Sequence, residues 1–165
     1  MGIDHTDDSE IVTLSVAHPG QAPSLRDKTF LTPWFQMDPD RSAAFDKASY
    51  FDRSPHPYDE SGYGRDLVEG FHLLAVLDHL VNHALWSEGP WLAWNYGLDR
   101  VRFVSVIRCS DRFRVRGTIA DVIDRGEQGH LLVVDCVAEV EGRERPGFVA
   151  TQRALWTTSS PRPDA

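Results

Sequence analysis

The sequence predicts an α+β domain in which a long helix is wrapped by an antiparallel sheet, and two patterns carry that prediction. From Leu67 to Trp86 the apolar residues Leu67, Phe71, Leu74, Leu77, Val81 and Leu85 recur at threes and fours, the spacing of a helix with one buried face. After Gly89-Pro90 the pattern changes to four runs rich in β-branched and aromatic residues, WLAWNYGLDRVRFVSVI, DRFRVRGTIADVID, HLLVVDCVAEVEG and GFVATQRALWTT. Alternation is clearest in the second, where Phe113, Val115, Gly117 and Ile119 face away from Arg112, Arg114, Arg116 and Thr118. RGEQG and GRERPG supply turn chemistry between consecutive runs, which makes the C-terminal half an antiparallel meander.

The remaining elements follow in order. Residues 1–28 mix acidic, Gly, Pro and Ser positions around the short stretch IVTLSV and predict a loose arm that contributes at most an edge strand. Asp38 suits a helix cap, Pro39 the first turn and Asp40 the positive end of the helix dipole, so a short helix is expected over 39–48. Pro55, Pro57, Gly62 and Gly64 make residues 50–66 a long irregular connection, the kind of loop that often carries function. The tail TTSSPRPDA predicts disorder over 159–165, leaving one domain over 29–158.

Composition narrows the function classes. With 17 Lys and Arg against 25 Asp and Glu, the net charge of -8 opposes sequence-independent attraction to a phosphate backbone, and nucleic acid is not an expected partner. No apolar run approaches the ~18 residues of a membrane span, and Cys109 and Cys136 are too few for a disulfide scaffold. A cytoplasmic protein with reduced, structural thiols is expected, Cys136 buried in mid-strand. His72, His79 and His83 share one helical stripe. His72 and His79 stand two turns apart, ~10 Å and too far to share an ion, and only His79 and His83 could share one; with no third ligand fixed by sequence, the stripe reads as a polar flank or subunit contact rather than a metal site. Arg102, Arg112, Arg114 and Arg116 form a basic stripe that reads as a solvated sheet face or as a phosphate contact. Trp34, Trp86, Trp91 and Trp94 read as core or dimer contacts.

Three segments carry a family resemblance: WFQMDPDRSAAFDKASYFD, NYGLDRVRFVSVIRCSDRFRVRGTIADV and VEGRERPGFVATQRALW. Over roughly residues 30 to 157 the chain resembles the MaoC-like hydratase/dehydratase family of hotdog folds. The resemblance implies water addition to, or removal from, a 2-enoyl or 3-hydroxyacyl thioester on coenzyme A or a carrier protein, with no cofactor. It also implies a homodimer, because the family builds its tunnels between two such units. The family motif is an Asp, four residues, a His, one residue and an Asp, followed later by an apolar pair and His-Gly at the start of the central helix.

Asp52 stands at the first aspartate and Asp59 at the second, but Pro57 occupies the histidine position and His56 lies one place early. In LVEG, Glu69 takes the place of the second histidine while Gly70 is retained. A helix-start amide near Gly70 suits polarisation of a thioester carbonyl. The expected site is therefore Asp52, Glu69, His56 and His72 for proton transfer, the Gly70 amide as donor, and Tyr58, Asn95, Tyr96 and Arg102 as substrate contacts. Three readings stay open: a re-aimed His56 acts, Glu69 acts, or the loop only covers the pocket. Two other functions compete with the hydratase, a cyclase or isomerase on a polyketide-like substrate and a non-catalytic partner subunit.

Overall fold

The computed structural model describes residues 11–53 and 66–158. The predicted disorder of the tail, the first ten residues of the arm and the loop positions His56, Pro57, Tyr58 and Asp59 lie outside the described residues.

The short helix forms where the cap signal places it. α1 spans Pro39–Ala48, with Asp38 extended at the N-cap and its carboxylate accepting from the Asp40 amide at 2.8 Å. α2 spans Gly70–Ala84, shorter at both ends than the periodic run, because Leu67 joins an isolated bridge to Arg108 and Leu85 already belongs to a strand. Its buried face is also rotated from the expected one. Leu73, Leu77, Leu80, Val81 and Ala84 are buried with His72, whereas Phe71 is 68% exposed. Burying each of these large side chains contributes about 1.5–3 kcal/mol, so this face holds the helix against the sheet.

The sheet runs in the order β2 (Thr29–Leu31), β6 (Arg112–Asp124), β7 (His130–Val140), β8 (Phe148–Thr157) and β5 (Leu92–Phe103), and β3 (Phe35–Gln36) also pairs with β6. The β6, β7, β8 and β5 pairings are antiparallel, as the turn chemistry requires. In the β6–β7 turn, Gly129 takes φ +106°, and a Cβ there would stand 2.0 Å from the Trp156 carbonyl oxygen, so only glycine closes it without displacing backbone. Phe113, Val115 and Ile119 of β6 are fully buried, which matches the alternation, and Trp156, Phe30 and Phe148 complete the largest part of the core. β5 closes one side of the sheet and is exposed along its whole length.

The arm is packed from Val12 onward rather than loose. Val12 and Leu31 exchange backbone hydrogen bonds, and β1 (Leu14–Val16) lies parallel to β4 (Leu85–Ser87) at the end of α2. A 3-10 turn over Pro19–Leu25 buries Ala22 and Leu25 in the core. The run of polar residues around it hid these two apolar anchors. Both cysteines are free and buried, and burial pushes the Cys136 thiol up to about 12. Among the described residues, no helix is long and apolar enough to cross a membrane.

Candidate active site

The start of α2 gathers the site. Glu69 is the N-cap, and its Oε2 accepts from the Phe71 amide at 2.8 Å and the His72 amide at 3.1 Å. A carboxylate at this position satisfies two open amides and meets the positive end of the dipole. The structure thus gives Glu69 a capping task where sequence reasoning had placed it in proton transfer. Among the described residues nothing accepts from the Gly70 N–H, the first amide of the helix. The Phe103 ring closes over Gly70, and a Cβ at that position would lie 2.7 Å from the ring's Cζ. Leu67, Glu69, Gly70, Phe103 and Ile107 line a cavity of about 380 Å³ at this helix end.

One turn after Glu69, His72 is buried, with its ring flat on Phe45 of α1 at 4.3 Å between centroids. Its Nδ1 is buried without a hydrogen-bond partner among the described residues. Burial pushes this imidazole below its ordinary range, while the negative charges of Asp46 and Glu69 pull it back. Asp46 is the complement: burial pushes its carboxyl up, His72 lowers it and Asp52 raises it further. The arrangement favours a neutral imidazole beside a carboxyl that keeps a proton more readily than an exposed aspartate does. His72 also lines a cavity of about 690 Å³ between α1 and α2, with Met37, Phe45 and His79.

Asp46 was not among the residues expected from sequence. Phe45 is the large apolar residue of α1 and must face the body of the protein, which brings its neighbour Asp46 to the edge of the same contact. Asp52 is exposed on a 3-10 turn over Phe51–Arg53, reaches Asp46 by charge and lines neither cavity.

Other expected groups fall elsewhere. Asn95 and Tyr96 line a third cavity, of about 570 Å³, further along α2, and Arg102 lies on the exposed β5. The remaining arginines of the stripe are paired across the sheet. Arg112 binds Glu141, while Arg114 and Arg116 share Glu139, and both Arg112 and Arg114 lie over the Trp34 ring. Trp91 packs against the buried Trp156, whereas Trp94 is exposed on β5. His79 and His83 touch ring to ring at 4.3 Å, and among the described residues no group of three metal-ligating side chains is close enough to hold an ion.

No family model matches the chain. It is 31% identical over 117 residues to the 3-hydroxyacyl-thioester dehydratase Z of Mycobacterium tuberculosis, an alignment that covers 71% of this chain and 67% of that protein. Solved structures share the fold. The monoamine oxidase regulatory protein of Archaeoglobus superposes with a TM-score of 0.67 at 12% identity, covering 90% of this chain and 100% of that one. An (R)-hydratase from A. caviae superposes with a TM-score of 0.56 at 12% identity, covering 81% and 96%. The helix wrapped by an antiparallel sheet is a hotdog fold. The chain belongs to the MaoC-like hydratase/dehydratase family of enzymes.

Proposed function

We propose that the chain is a hydratase/dehydratase-type lyase acting on an acyl thioester of coenzyme A or a carrier protein, with His72 and Asp46 in place of the family's histidines. The observation that supports it is the Gly70 amide with the buried His72 Nδ1 two residues on, neither of which has a partner among the described residues, both at the positive end of α2. The Gly70 N–H donates to the thioester oxygen as negative charge gathers there. Neutral His72 takes a proton from water as the water oxygen bonds to C3, and the Asp46 carboxyl gives a proton to C2. His72 then returns its proton to Asp46, so only water is consumed. Burial, with a smaller push from Asp52, makes Asp46 the more ready proton donor, and Glu69 holds the helix end. Arg102, on the exposed β5, meets the phosphates of the carrier.

The active form in this reading is a homodimer built on β5, whose exposed Leu92 and Trp94 lie on an edge with open backbone groups. Two free, buried thiols suit a reducing compartment such as the cytoplasm.

Hydration of crotonyl-coenzyme A, followed by loss of enoyl thioester absorbance, tests the assignment. His72→Gln is expected to lower kcat by about 10²-fold or more and Asp46→Asn by at least about tenfold. Full turnover by His72→Gln overturns the proton assignment. Absence of turnover in the parent, with cyclised product from a polyene thioester, moves the assignment to a cyclase. No product from any acyl thioester, with tight binding to a second hotdog chain, moves it to a partner subunit.

A further inference from the structure

β5 runs antiparallel to α2, so Phe103 covers Gly70 at one end while Asn95–Leu98 lie beside Asp78 at the other. The cavity at Gly70 and the 570 Å³ cavity at Asp78 share Phe71 in their linings, so the two adjoin and follow one another as a groove along the helix. From Gly70 to Asp78 the helix rises ~12 Å, the span of about ten chain atoms.

Asp78 is the charged residue in an otherwise uncharged lining that includes Leu74, Leu77 and Leu98. No cation pairs with it among the described residues. Gln152 of β8, only 4% exposed, donates its Nε2 to Asp78 Oδ1 at 3.1 Å. The opposite amide orientation would set oxygen against carboxylate, so the bond fixes which way the amide lies. Gln152 Oε1 is left buried without a partner among the described residues. The far end of the groove therefore offers acceptors in an apolar surround. A plain alkyl end would strip water from Asp78 and return nothing, whereas a hydroxyl donates to it without the desolvation cost of a cation.

We propose that this groove holds the distal part of the acyl chain and that Asp78, oriented by Gln152, selects chains carrying a hydroxyl about ten atoms from the thioester carbonyl. This rests on the acyl-thioester reading. In these terms Asp78 is a specificity-determining residue and Gln152 a positioning residue.

Calorimetric binding of the saturated, unreactive decanoyl and 10-hydroxydecanoyl thioesters of coenzyme A tests it independently of turnover. The parent is expected to bind the hydroxylated chain about tenfold more tightly. Asp78→Ala, which favours the helix, should abolish that ratio, and Gln152→Leu should reduce it, a readout that a purely structural role leaves unmoved. Crotonyl-coenzyme A, too short to reach Asp78, should be hydrated equally by parent and Asp78→Ala. Equal affinity for the two chains, binding of neither, or a ratio that survives Asp78→Ala overturns the proposal. Intact crotonyl hydration alongside any of these leaves the acyl-thioester reading standing, while loss of hydration in the parent strikes that reading alone.

Discussion

The His72 imidazole lies on the Phe45 ring with the two planes 3° from parallel, and this stack is where α1 meets the N-terminal end of α2. It covers the imidazole, and burial is the largest influence that lowers its proton affinity. Phe45→Ala should cost about 2 kcal/mol, less than a fully buried phenylalanine because the ring is half-exposed. Chemical denaturation measures that loss. With water admitted to the ring, the His72 titration followed by NMR should move up toward the ordinary histidine range.

The same burial gives stability a pH dependence of known sign. His72 in the folded state titrates below 6.5, so between those values the unfolded chain binds more protons and stability falls as pH falls below about 6.5. Asp46 acts oppositely: its raised carboxyl makes the folded state bind more protons just above 3.8, so stability falls as pH rises through that window. Near neutrality His72 governs. The melting temperature should drop between about pH 7 and pH 6, and His72→Gln should flatten that drop.

The sheet stripe makes a separate prediction. Glu139 takes a hydrogen bond from Arg114 at 2.8 Å and from Arg116 at 2.7 Å. Burial pushes its carboxyl up, but the two arginines outweigh that and hold it below the ordinary range of 4.5. Its contribution is present above that value and lost as pH falls through the folded one. Glu139→Gln should therefore cost about 1 kcal/mol at pH 7 and progressively less as pH falls below 4.5, with crotonyl thioester hydration unchanged.

Elements governed by local chemistry were legible in the sequence. Asp38-Pro39 fixed the start of α1, and the turn residues and alternation fixed the meander, because caps, turns and a two-residue period act over a few neighbours. The anchoring of Ala22 and Leu25 was not legible, since it depends on a core assembled from distant strands. Nor was the rotation of α2. Phe71 fits the apolar period but faces the groove, while His72 breaks the period and is buried because Phe45 offers it an aromatic face. At the site, Gly70 and the pair Glu69 and His72 were named from sequence, but the division of tasks between those two needed geometry. Glu69 has the amides of Phe71 and His72 within reach, whereas His72 Nδ1 has no partner among the described residues.

Gly70 gives the sharpest test of the helix-end donor. A methyl group there would stand 2.7 Å from Cζ of Phe103, closer than side-chain carbons approach, so either the ring or the helix start must shift. Phe103 is 46% exposed on the edge strand and has room to yield, so Gly70→Ala should fold with a modest loss of stability. The amide it carries must hold its place within a few tenths of an ångström to meet a thioester oxygen, and displacement should lower kcat for crotonyl hydration by about tenfold or more. Phe103→Ala relieves the clash without touching the amide. The double variant Gly70→Ala with Phe103→Ala should therefore recover most of the lost turnover. Equal loss in the single and double variants would show that the ring contact is not what displaces the donor.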